Sequence, residues 1–234
     1  VNYRIFLAVA AVALGGYIAY VVTWNQTKVA PKKPAIAHPS EDPKNAFILP
    51  AKIHPVTEKM HAEAMAMTAN KAADFSQPDA AGRVLSLSAL TKSKPLLLYF
   101  IDKECPCCVT ALPVVERVRE AYREELNVVG VISAGGLDAK KWVDANQPSY
   151  PVLQDPDLRV IKAYKAKAGA YMALIRPGGT IDRLFPGYSR SMVKELGDRV
   201  AHLAKVRPRK MKLDDLSADP VSGCEFAVPQ ASSN

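Results

Sequence analysis

Lys94-Pro95-Leu96-Leu97-Leu98-Tyr99-Phe100-Ile101-Asp102-Lys103-Glu104-Cys105-Pro106-Cys107-Cys108 is the stretch on which the fold turns. From Pro95 to Ile101 the chain is continuously apolar, the pattern of a strand buried on both faces. After it, Pro106 is tolerated in the first turn of a helix, and Val114, Val115, Val118, Ala121 and Tyr122 recur on one face. A helix is therefore predicted over 106–125. A strand that hands cysteines to a helix N-terminus is a setting for redox chemistry. The unpaired amides and positive dipole end of the helix favour a thiolate, so Cys105 is expected to attack disulfides near neutral pH. Cys108, one turn further in, can then return to Cys105 and resolve a mixed disulfide, while Pro106 fixes the turn between them.

Outward from this stretch, Val84, Leu85 and Leu87 carry a strand-like signal, Asn127 to Ser133 reads as the next strand and Leu137 to Asn146 as the next helix. Tyr171 to Arg176 and Thr180 to Phe185 form a hairpin around Pro177-Gly178-Gly179, and Ser189 to Val206 is an amphipathic helix. Alternating strands and helices followed by a late hairpin specify an α/β domain with a mixed sheet covered on both faces.

Before this domain, Ile5 to Val22 is uncharged and apolar; extended by Thr23 and Trp24, it is long enough to cross a hydrocarbon core. Tyr3 and Trp24 bracket it as interfacial aromatics do. A single membrane-spanning helix within residues 1–24 is expected, in preference to a cleaved signal peptide. Residues 25–55 hold Pro31, Pro34, Pro39, Pro43, Pro50 and Pro55 and read as an extended spacer. Residues 56–72 read as a helical lead-in capped by Thr57, with Met60, Ala64 and Met67 as a packing stripe rather than a copper site. The folded domain is expected over 73–206, and 207–234 as a mobile tail carrying Cys224. Flanking charge alone slightly favours a cytoplasmic domain, but a tethered dithiol is most useful in an oxidising compartment, so the extracytoplasmic (periplasmic) face is the expectation.

The 234 residues carry a net charge of +8 and four cysteines. Lys and Arg are scattered except for Arg207, Arg209, Lys210 and Lys212, a cluster with few aromatics that reads as a solvated tail or lipid contact, not a nucleic-acid site. Arg117, Arg119 and Arg123 likewise read as a solvated helix face. Three clustered cysteines point to reactive thiols, since a structural disulfide framework would spread them. A zinc site would need a second pair, and none exists. The dithiol carries its own electrons, so no cofactor is expected.

Ala73-Asp74-Phe75-Ser76, Gly82 to Ser88, Leu96 to Phe100 before the cysteines, Pro113 after them, Tyr150 to Asp155 and Leu174 to Ile181 together carry a resemblance. Over roughly residues 73–205 the chain resembles the membrane-anchored thioredoxin-like family of the TlpA and ResA type and, more broadly, the redoxin or AhpC/TSA superfamily. The resemblance implies a thioredoxin-like fold, protein disulfides or dithiols as substrates, Cys105 as attacking thiol and Cys108 as resolving thiol. It also places Ala170 where thioredoxins keep a cis-proline, so Ala170 and Pro106 are assigned to the substrate-docking edge. Two further departures are Glu104, in place of the usual aromatic before the first cysteine, and Tyr99, in place of a buried acid. The negative charge of Glu104 is expected to oppose thiolate formation.

Three other readings stand beside the oxidoreductase. The fold could survive as a docking module in an accessory subunit of a membrane complex. A peroxidase would share the fold, but the proline and hydroxyl residue of the peroxidatic signature are missing before Cys105, Cys107 and Cys108. Clustered sulfurs, including the auxiliary thiols Cys107 and Cys224, could hold Cu(I); no metal ligand set is assigned, because His38, His54, His61 and His202 all read as surface or packed residues. Cys224 reads equally as a third redox partner or as a plain thiol.

Overall fold

The computed structural model describes residues 54–227. The segment expected to span the membrane, nearly all of the proline-rich spacer and the last seven residues lie outside the described residues. Among the described residues no helix is long and apolar enough to cross a membrane. In chain order the elements are β1 (His54–Pro55), α1 (Glu58–Met65), β2 (Ser76–Pro78), β3 (Val84–Ser86), α2 (Leu87–Leu90), β4 (Leu96–Ile101) and α3 (Pro106–Ala121). They continue as β5 (Asn127–Ile132), α4 (Gly136–Asn146), β6 (Val152–Gln154), α5 (Arg159–Ala163), β7 (Met172–Arg176), β8 (Thr180–Phe185), α6 (Arg190–Ala204) and β9 (Val221–Ser222).

The main sheet has the order β6-β5-β4-β7-β8. β4 runs parallel to β5 and antiparallel to β7, which places it at the centre of a mixed sheet. Its continuous apolar character follows from that position. Leu97, Tyr99 and Ile101 enter one core with Val114, Val115 and Val118 of α3 and Val193, Leu196 and Val200 of α6. Leu96, Leu98 and Phe100 enter the opposite core with Ala64, Met67, Phe75, Val160 and Ile161. Side chains alternate across a strand, so two buried faces require six consecutive apolar residues.

The lead-in helix starts as expected. Thr57 Oγ1 accepts the Met60 amide at 3.2 Å, and Ala64 and Met67 are buried. It stops at Met65, well short of residue 72, because the chain is drawn into pairing with the β8 end of the sheet. The Ala69 amide donates to Ile181 O and the Ala72 amide to Gly179 O, both at 2.9 Å. Tertiary hydrogen bonding here outweighs local helix propensity.

The tail departs most from expectation. Residues 207–227 run back over the domain instead of standing free. Arg117 makes a bidentate ion pair with Asp215, at 2.9 and 2.8 Å, so it anchors the tail and is not simply a solvated arginine. The Arg209 guanidinium lies over the Tyr122 ring, 5.6 Å from its centroid, and the Arg209 amide donates to Tyr122 Oη at 3.0 Å. At its end, β9 pairs antiparallel with β1, His54 opposite Ser222 and Pro55 opposite Val221. Tyr188 exchanges two backbone hydrogen bonds with Val221 on the other side.

Candidate active site

β4 ends at Ile101, and the next four residues turn the chain so that Cys105 becomes the N-cap of α3, in extended conformation with Pro106 behind it. The Cys105 amide donates to Asp102 O and the Cys108 amide to Cys105 O, both at 3.1 Å. Residue Tyr99, in place of an acid, donates its hydroxyl to Cys108 O at 2.7 Å from full burial. The Glu104 side chain is exposed and lies 3.5 Å from Lys103 Nζ, which also reaches Asp138 at 3.2 Å. None of the four cysteines forms a disulfide.

The electrostatics divide the pair. Hydrogen bonding from Cys108, opposed by burial and helped by the amide and thiol of Cys224, lowers Cys105 to about 4. The same hydrogen bond, together with burial, raises Cys108 well above an ordinary thiol. These opposed shifts favour the thiolate form at Cys105 and the protonated form at Cys108. Sequence reasoning passed over Asp102, whose carboxyl is raised chiefly by burial; it follows a buried strand directly and accepts the Glu104 amide at 2.8 Å.

Ala170 is buried rather than displayed at an edge. Its φ is +62°, with the amide donating to Phe100 O at 2.9 Å. Pro106 is exposed at the helix start. The edge beside the sulfurs is the preceding segment, Lys167 to Gly169, and the tail already occupies it. Gly223 donates to Gly169 O at 2.8 Å, Gly169 to Cys224 O at 2.9 Å and Phe226 to Lys167 O at 3.1 Å, with Ala168 bridged antiparallel to Glu225. Two glycines permit this approach: a Cβ on Gly169 would collide with Cys108 Sγ, and one on Gly223 would meet the Gly169 backbone. The Cys224 amide then donates to Cys105 Sγ at 3.1 Å. Cys105, the thiol expected from sequence to attack disulfides, exposes only 2% of its surface and is covered here.

His54, expected at an exposed position, is half-buried, with Nε2 lying 3.7 Å from Cys224 Sγ. With the buried Cys107 it completes a group whose three donor atoms lie within 4.8 Å of one another. No periodicity in the sequence announces this meeting of strand, helix and tail.

A mixed five-stranded sheet whose central strand delivers a cysteine pair to a helix start defines a thioredoxin-fold protein. Residues 68–183 match the AhpC/TSA family. The chain is 28% identical over 134 residues to the thiol-disulfide oxidoreductase ResA of Halalkalibacterium halodurans, covering 56% of this chain and 76% of the relative. Among solved structures it resembles a putative thiol:disulfide interchange protein DsbE from Chlorobium tepidum, with TM-score 0.53 and 22% identity, covering 58% of this chain and 97% of that one. The peroxidoxin BcpB of Mycobacterium tuberculosis aligns with TM-score 0.51 and 21% identity, over 60% and 98% of the two chains. The two structural likenesses establish the fold, which is shared by oxidoreductase and peroxidoxin alike.

Proposed function

We propose that this protein is a thiol:disulfide oxidoreductase acting on protein disulfides, tethered to the membrane through residues 3–24 with its domain on the extracytoplasmic face. The observation that carries the reading is the placement of Cys105 at the start of α3 with Cys108 one turn behind it. The similarity to ResA, a thiol-disulfide oxidoreductase by name, supports it.

In the reaction the Cys105 thiolate attacks one sulfur of a substrate disulfide. A Cys105–substrate disulfide forms and the second substrate sulfur leaves as a thiolate, which takes up a proton. Cys108 then loses its proton and attacks Cys105 Sγ, forming the Cys105–Cys108 disulfide and releasing the first substrate sulfur as a thiol. Two electrons pass from the dithiol to the substrate. Because residues 222–226 cover Cys105, a substrate strand must displace them and pair with Lys167 to Gly169 in their place, a form of strand addition.

The test is reduction of a disulfide-containing peptide by the pre-reduced protein. Cys105→Ser should abolish product formation, and Cys108→Ser should accumulate a Cys105–peptide mixed disulfide. Undiminished reduction by Cys105→Ser rejects the assignment.

One observation favours a second reading, that of a docking module in a larger membrane complex: the substrate edge is filled by the protein's own tail. Co-elution with a large assembly in mild detergent, without disulfide reductase turnover, would support that alternative.

A further inference from the structure

The geometry points to a soft-cation site formed by His54 Nε2, Cys107 Sγ and Cys224 Sγ, suited to one Cu(I) per chain and built from donors other than Cys105 and Cys108. The three donor atoms all lie within 4.8 Å of one another. A trigonal d10 cation bound at about 2.3 Å to sulfur and about 2.0 Å to nitrogen sets a sulfur and a nitrogen ligand about 3.7 Å apart, and two sulfurs about 4.0 Å apart. His54 Nε2 and Cys224 Sγ already stand at 3.7 Å. Closing the remaining edges from the 4.8 Å limit takes at most about 0.8 Å between the two sulfurs and about 1.1 Å between His54 and Cys107, within reach of cysteine χ1 changes.

The scaffold holds each donor. Cys107 is carried by the first turn of α3 and is 4% exposed. The β1–β9 ladder sets His54 opposite Ser222, and the Val56 amide donates to Pro220 O at 3.0 Å, so His54 and the approach to Cys224 are tied together by backbone hydrogen bonds. Cys224 is fixed in turn by the hydrogen bond from Gly169 to its carbonyl. Donors from three distant parts of the chain converge on one point.

The donor set selects the cation. Two sulfurs and an imidazole, with no oxygen, are soft ligands preferred by Cu(I), and three donors suffice for it. Structural zinc requires four protein ligands. Binding replaces the thiol protons of Cys107 and Cys224, releasing two protons to solvent per Cu(I) bound, with His54 entering as the neutral ring. His54 and Cys224 are partly exposed, so two of the three donors reach solvent.

The test is anaerobic competition between the reduced, metal-free full chain and a chromophoric Cu(I) chelator, with Cu(I) supplied as the chelator complex. One equivalent should transfer, and X-ray absorption should report two sulfurs and one nitrogen. His54→Ala and Cys224→Ser should each weaken binding at least tenfold. Circular dichroism of each variant, together with retention of the Cys105–Cys108 disulfide on oxidation, distinguishes loss of the site from loss of the fold. Cys108→Ser should keep full Cu(I) affinity while losing that disulfide, so failure of the metal site and failure of the oxidoreductase reading have different signatures. No transfer from the chelator, unchanged affinity in folded His54→Ala, or a preference for Zn(II) over Cu(I) would overturn the assignment.

Discussion

The amide of Cys224 donates a hydrogen bond to Cys105 Sγ across 3.1 Å. A tail residue thereby takes the position proposed for a substrate backbone: it lies antiparallel to Lys167–Gly169 and offers a donor to the Cys105 sulfur. The same contact lowers the thiol and hides it, coupling reactivity to access.

The tail can be released by one methyl group. A Cβ on Gly223 would lie 2.6 Å from the Gly169 carbonyl carbon and oxygen, inside van der Waals contact with backbone that cannot yield. Gly223→Ala should undock residues 222–226 and raise the alkylation rate of Cys105 by at least about tenfold, because local opening is no longer required first. The rate is read by quenched alkylation and mass spectrometry of the Cys105 peptide. An unchanged rate would mean that the tail does not limit access.

The potential of the dithiol should carry the signature of a split pair. Cys105 titrates at about 4, with its Cys108 hydrogen bond as the main cause, whereas Cys108 is raised well above 9. Between those values reduction of the disulfide takes up two electrons and one proton, so the midpoint potential should fall by about 30 mV per pH unit. Below about pH 4 the slope should double. The linked stability has a definite sign: the depressed Cys105 thiol stabilises the folded, reduced protein fully above the unfolded thiol value of about 8.5. That stabilisation is lost as pH falls toward about 4. Protein electrochemistry from pH 5 to 8, with a metal chelator present, measures the slope; about 60 mV per unit would show that Cys105 is protonated.

Ala170 cannot be returned to proline. Its φ of +62° is opposite in sign to the proline ring's, and its amide is committed to Phe100 O. Ala170→Pro should lower folding stability by more than about 1 kcal/mol, read from the denaturant midpoint. A variant as stable as the parent would show that the left-handed turn is not the true local conformation.

What the sequence revealed was local. The buried run from Leu96 to Ile101, Pro106 at a helix start and Cys108 one turn on are each set by neighbours a few residues away, and strand, turn and helix form where those residues place them. What stayed hidden depends on distance along the chain. His54 and Cys224 are 170 residues apart and meet through a two-residue ladder too short to show periodicity. Arg117 reads as one more surface arginine until Asp215 arrives from the tail. The helix that begins at Thr57 ends early because β8 offers its amides better partners. Gly169 and Gly223 carry a signal in retrospect: glycines beside Ala170 and Cys224 mark backbones that must touch.

Cys105 and Cys108 are proposed to form the redox pair. The most direct measurement equilibrates the full chain across thiol–disulfide buffers of stepped potential, then alkylates, digests and maps disulfides by mass spectrometry. The predicted result is a two-electron transition in which a Cys105–Cys108 linkage appears, persisting in a Cys107→Ser/Cys224→Ser double variant. A chain that never links Cys105 to Cys108 at any potential, or that links Cys105 to Cys224 alone, would contradict it.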